Sequence, residues 1–135
     1  MQNSKCKLQN VRDKRLQPNN LSDRLMNYAV SIIKMVEKIR RNFAGREIAG
    51  QLIRASTSAG ANYEEACGAE SRSDFIHKLQ IVLKELKETT YWLRLISRLE
   101  LISPEEIESL LKEAMELANI IGKSILTAKK NRLNK

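Results

Sequence analysis

Apolar side chains recur at steps of three and four residues along four successive stretches of this chain, and that spacing constrains its fold more than any other feature. A period near 3.6 brings such residues onto one face of a helix. In the first stretch Leu25, Ala29, Ile32, Val36, Ile39 and Phe43 keep the spacing, with Met26 and Ile33 widening the stripe. Ser22 is the expected N-cap. The segment Asn42 to Gly45 is the expected stop, because Asn and Gly accept the left-handed backbone of a C-terminal cap.

Ile48, Leu52, Ala55, Ala59 and Ala66 continue the pattern in a second helix, whose middle, Ala55 to Asn62, is built from small side chains. Gly and Ser there cost up to about 1 kcal/mol each against Ala, so very close approach by a neighbouring helix has to compensate. A third helix is capped by Ser71 or Ser73 and carries Phe75, Leu79, Val82, Leu86, Leu93 and Ile96 as its seam, with Ile76, Leu83 and Thr90 beside them. It is expected to run to about Leu101, a length of roughly 40 Å at 1.5 Å per residue. The fourth begins at Ser103-Pro104-Glu105-Glu106: Ser as N-cap, Pro at the first position, and Glu106 placed to close a capping box. Ile107, Leu110, Ala114, Leu117, Ile121 and Ile125 form its apolar face.

Four amphipathic helices with short connections imply an all-α, up-down-up-down antiparallel four-helix bundle. At 135 residues, with aromatics at only 4%, one domain is enough and can bury a core without disulfides. The division expected is a basic, flexible segment over 1–20, the bundle over 21–128 and a basic C-terminal segment over 129–135. No stretch approaches the roughly 20 apolar residues of a membrane span, and Met1 to Asn20 has no apolar signal core. A cytoplasmic protein is expected, with Cys6 and Cys67 as reduced thiols and Asn20-Leu21-Ser22 as a chance sequon.

The residues offer little for catalysis. His77 is the single histidine. Asp74 and His77 have the carboxylate-x-x-His spacing of di-iron bundles, but such sites draw the motif from two helices. Gly60 and Gly68 stand alone rather than in a phosphate-cradling loop. The expectation is a non-enzyme with no metal and no cofactor, and His77 as a partly exposed helix residue.

Charge is more informative. The formal net charge is +8, and it is unevenly placed: five Lys or Arg and one Asp precede Leu21, and five more with no acid follow from Lys123. The body between is close to neutral. Basic ends of this kind suit an anionic partner such as nucleic acid, and equally a role in solubility. On the third helix Lys84, Lys87, Tyr91, Arg94 and Arg98 form a second stripe away from the seam. Four cations on one face can neutralise phosphates while Tyr91 stacks on an exposed base. Lys34, Lys38 and Arg41 form a smaller counterpart on the first helix. Spacing alone favours a plainer alternative, a solvated flank balanced by Glu37, Glu85 and Glu88. On the second helix Arg54, Ser58, Asn62 and Glu65 share one side, and polar groups on a closely packed side need partners. Glu85, Glu88 and Lys78 are suitable, within the chain or across a subunit boundary, which reads as architecture rather than a catalytic site.

The run Gln51 to Ala66, then Glu70 to Leu79, then Lys84 to Leu93 resembles the signature of the four-helix-bundle proteins of 23S ribosomal RNA intervening sequences, over about Leu21 to Ile125. The resemblance implies a homopentameric barrel of four-helix protomers without enzymatic activity. A related branch, the accessory proteins of diversity-generating retroelements, implies binding of nucleic acid and a reverse transcriptase through basic surfaces. In a pentamer, subunit contacts would cover the small-residue face of the second helix and the exposed aromatics Tyr63 and Trp92. The chain departs from the family before the first helix, where a basic segment ending Leu16 to Asn20 replaces a stretch with a Val-Trp pair. The combined expectation is a non-catalytic, oligomeric bundle that binds RNA or DNA; the alternative is a structural assembly module for a protein partner such as a reverse transcriptase.

Overall fold

The computed structural model describes residues 20–133. The basic segment expected at the N-terminus, apart from Asn20, and the last two residues of the C-terminal one lie outside the described residues. Among these, four α-helices follow one another: α1 (Leu21–Val36), prolonged by a 3-10 turn (Glu37–Ile39), α2 (Phe43–Cys67), α3 (Arg72–Arg98) and α4 (Pro104–Leu133). Each packs on the next and α4 returns to α1, so the chain forms an up-down-up-down bundle with α1 and α3 on a diagonal.

The caps explain where the helices start and why two boundaries differ from the sequence expectation. Asn20, not Ser22, caps α1: its Oδ1 accepts from the Asp23 amide at 2.8 Å. Ser22 lies inside the first turn, and its hydroxyl donates to the Glu64 carboxylate of α2. Asn42 does not end α1 but begins α2. Its backbone is extended and its Oδ1 accepts from the Gly45 amide at 2.8 Å. Phe43 is therefore not the last residue of the first stripe but the first of α2, 72% exposed, with the Arg46 guanidinium 5.6 Å from its ring centre. The turn is tight enough that a Cβ on Gly45 would stand 2.4 Å from the Ile39 carbonyl oxygen.

Ser71 caps α3, accepting from the Asp74 amide at 3.1 Å. The helix stops at Arg98, short of Leu101, because Glu100 turns the chain with φ 58°. The Glu100 amide donates to the Ser97 carbonyl and that of Leu101 to Ile96, the paired bonds of a Schellman close, with Glu where Gly is usual. At α4 the Ser103 hydroxyl accepts from the Glu106 amide at 3.3 Å, while the Glu106 carboxylate, expected to reach back to the cap, is engaged by Lys38. α4 continues to Leu133, five residues beyond the expected end of the bundle at 128.

The core lies along the common axis, where Leu25, Ile32, Leu52, Leu79, Leu86, Leu93, Leu117 and Ile121 are fully buried. The small side chains of α2 sit inside this core: Ala55, Ser56 and Ala59 are buried, and a Cβ on Gly60 would meet Leu25 Cβ at 3.8 Å. Leu25 of α1 thus packs beside Gly60 at an ordinary van der Waals distance, without the very close approach expected there. Tyr63, expected to need a subunit contact, is already buried within the protomer, and Trp92 is half-buried. Met26 and Ile33 are not part of the α1 seam; they are 64% and 38% exposed. Tyr28 and Met35 are buried instead. The Tyr28 hydroxyl donates to the Leu110 carbonyl at 3.1 Å, and Arg24 binds Glu113 and Glu116 at 2.7 and 3.1 Å. No described helix is long and apolar enough to cross a membrane.

Candidate functional site

Two arrangements on α3 carry the chemistry this bundle can offer, one facing α2 and one facing outward. On the side toward α2, Arg54 Nη1 donates to Glu85 Oε1 at 3.3 Å and its Nη2 to Glu88 Oε2. Glu85 is buried and also accepts from the Ser58 hydroxyl at 3.4 Å. Asn62 Nδ2 donates to the Ser58 carbonyl and hydroxyl at 2.9 and 3.1 Å. Further along the same seam Lys78 Nζ lies 2.7 Å from Glu65 Oε1. One turn beyond Glu88, Trp92 Nε1 donates to Glu88 Oε2 at 3.1 Å. The Glu88 carboxyl is held below the ordinary carboxylate range, first by the Arg54 hydrogen bond and then by that indole N–H. The same bond to Glu88 raises the Arg54 guanidinium. The seam brings together Arg54, Ser58, Asn62, Glu85, Glu88 and Trp92; Tyr63 points instead into the core.

The outward ridge is different in kind. Lys84, Lys87, Tyr91, Arg94 and Arg98 are all exposed, Tyr91 at 60%. None of the four cations takes part in an ion pair among the described residues. Helical spacing offers them one carboxylate, Glu88 four residues after Lys84, and it is turned to Arg54 together with Glu85. Coulomb attraction from Lys84 reaches Glu88 only as a minor influence behind Arg54 and Trp92. Tyr91 meets Trp92 edge-on, with ring centres 5.0 Å apart and planes at 76°.

The counterpart expected on α1 does not form as one strip. Lys34 is exposed, Lys38 is paired with Glu106 at 2.8 Å, and Arg41 lies in the turn after the 3-10 segment rather than on the helix face. Because α1 and α3 are diagonal, their outer faces point apart and share no surface. Asp74 and His77 are both exposed, and among the described residues no group of three or more His, Cys, Asp or Glu is placed to hold a metal ion.

Two features were not found by sequence reasoning. One is a polar cleft of about 520 Å³ between α1 and α4, lined by Arg24, Tyr28, Ser31, Lys112, Glu113 and Glu116 among others. Burial pushes the Tyr28 phenol far above its ordinary range, and the Glu113 hydrogen bond raises Arg24. The other is the exposed apolar line Met26, Val30 and Ile33 on α1, with Ile53 of α2 also exposed. Its i, i+4, i+7 spacing was visible in the sequence as a second stripe beside the core one.

The geometry can be set against known proteins. No curated protein matches this chain. A crystal structure of a protein of unknown function from the S23 ribosomal protein family of Bacteroides thetaiotaomicron is 37% identical, covering 78% of this chain and 98% of its own, with a TM-score of 0.74. The sequence pattern of the family described as 23S rRNA-intervening sequence protein matches residues 19–123. That match takes in all but the last ten of the described helical residues, and with it the chain belongs to the 23S rRNA-intervening sequence protein family.

Proposed function

We propose that this protein is a non-catalytic, oligomeric bundle that binds nucleic acid through the outward ridge of α3. The observation that carries the reading is the exposure of Lys84, Lys87, Arg94 and Arg98 without an ion pair among the described residues, while the nearby carboxylates are held by Arg54. Four cations on one helix face suit phosphate binding, and the one carboxylate at helical spacing from them, Glu88 after Lys84, is held by Arg54. The family's description as 23S rRNA-intervening sequence protein is consistent with an RNA partner, and the basic ends of the sequence add to the attraction. Assembly into several copies, five by resemblance, is supported by the exposed line Met26, Val30 and Ile33.

Replacing Lys84, Lys87, Arg94 and Arg98 together by Glu tests the reading. Binding of RNA and DNA oligonucleotides should be lost while helical circular dichroism is unchanged. In the wild type, log affinity should fall linearly with log salt, and each cation removed should flatten the slope by about 0.7 for single strands or 0.9 for duplex DNA. Unchanged affinity in the reversed variant removes the ridge from any role in binding.

A second reading, an assembly module for a protein partner such as a reverse transcriptase, has the apolar line on α1 in its favour. It is distinguished by a shallow salt response.

A further inference from the structure

The ridge of α3 is longer than its cationic part. Ser73, His77 and Gln80 prolong the line of Lys84, Lys87, Tyr91, Arg94 and Arg98 at the same steps of four and three, and all are exposed. From Ser73 to Arg98 the line spans about 38 Å at 1.5 Å per residue. It contains no carboxylate, and every polar member can donate a hydrogen bond to a phosphate oxygen. In the middle of its cationic half stands an aromatic ring.

That ring is positioned from behind. Arg54 of α2 binds Glu88, Glu88 accepts from the Trp92 indole at 3.1 Å, and Trp92 meets Tyr91 edge-on at 5.0 Å. A phenol on an exposed helix face ordinarily samples several rotamers. Here a half-buried indole, itself tied to an interhelical ion pair, stands beside it, and 60% of Tyr91 remains exposed.

We propose that the ridge binds single-stranded nucleic acid, with Tyr91 as the platform on which a base stacks and Trp92, Glu88 and Arg54 as positioning residues behind it. The inference rests on the reading above that the ridge contacts phosphate. A duplex keeps its bases stacked on one another, so cations would serve it and a braced aromatic would not. A single strand presents the π-face of each base, and stacking on it is tolerant of sequence. The partner is therefore an unpaired stretch of RNA or DNA rather than a helix.

The protein contains one tryptophan, Trp92, which makes the ridge self-reporting. The full chain is titrated with a fluorescently labelled single strand and with the duplex of the same length at fixed salt, following anisotropy and Trp92 emission. The expected result is tighter binding of the single strand, with quenching of Trp92. Tyr91→Ala should weaken single-strand binding by roughly tenfold to a hundredfold, the range for loss of one stacked base, and leave duplex binding unchanged. Tyr91→Phe should retain the wild-type affinity. Arg54→Leu, which releases Glu88, should reduce the single-strand preference without abolishing the salt-dependent component. Equal affinity for both forms, with Tyr91→Ala silent on each, overturns the single-strand inference and leaves the cationic ridge standing. Persistence of binding after reversal of the four cations overturns the ridge reading itself, and the two failures are thereby distinguished.

Discussion

Gly45 and Glu100 occupy the two places where the backbone asks most of a side chain, and they answer in opposite ways. A Cβ at position 45 would press to 2.4 Å on the Ile39 carbonyl oxygen. The Ile39 oxygen is backbone and a Cβ is fixed by the backbone that bears it, so the turn between α1 and α2 would have to shift. Gly45→Ala should cost about 1–3 kcal/mol, the range for overpacking, read as a lower urea midpoint. At position 100 a Glu adopts φ 58°, a left-handed conformation that Gly adopts without penalty. Glu100→Gly should raise stability by about 0.5–1 kcal/mol, the steric relief outweighing the added freedom of the unfolded chain. Glu88 supplies a pH dependence. Its carboxyl is held below the ordinary value in the folded state by Arg54 and then Trp92. Its contribution is therefore complete above the usual Glu range and is lost as pH falls through that range toward the depressed value. Glu88→Gln should be less stable than wild type at neutral pH, and the difference should close below about pH 4. Arg54 is about half exposed, so screening limits the neutral-pH gap to about 0.5–1 kcal/mol. Chemical unfolding at pH 7 and pH 3 checks both parts.

At the scale of the element, each helix has a core face and a remaining face with its own character. On α3 the remaining face is polar and cationic; on α1 it is apolar, with Met26, Val30 and Ile33 at 64%, 40% and 38% exposure. Three apolar side chains on adjacent turns are poorly placed in water, and a second copy of the chain is the occupant proposed for them. Val30→Glu places a charge at the centre of the line without touching the core. It should shift the species seen by light scattering toward the monomer mass while leaving the far-ultraviolet spectrum unchanged, and an undiminished mass would exclude this face from assembly. Element boundaries show where local signals compete. Asn20 and Ser22 are both good N-caps, as Asn42 is both a plausible terminator and a good cap; the choice between such roles depends on which neighbours the helix meets. Asn42 became a cap because the chain reverses immediately before it, with Gly45 admitting the Ile39 carbonyl.

For the whole molecule, antiparallel alternation sets the start of α1 and the end of α4 at one pole. The pairing of Arg24 with Glu113 and Glu116, and of Lys38 with Glu106 nearer the other end, establishes that register. The cations of α3 occupy the half of that helix away from this pole. Helix number, order and seam were legible in the amino acids: Leu25, Leu52, Leu79, Leu86 and Leu117 are buried where periodicity put them. A 3.6-residue period is a local property, and burial of the stripe it creates is the largest favourable contribution such a chain can make. Spacing could also put Lys84, Tyr91 and Arg98 on one face. It could show as well that Lys87, Arg94 and Arg98 have no acid at helical spacing, but it could not assign Glu88, which has Lys84 within reach on its own helix as well as a cation on the next. That was decided by packing: only when α2 lies against α3 does Arg54 bind Glu85 and Glu88, leaving Lys84 unpaired like the other α3 cations, with Trp92 tied to Glu88 beside Tyr91. Periodicity selects the side of a helix that is buried; which charge answers which depends on distances between helices, and these exist only in the assembled bundle.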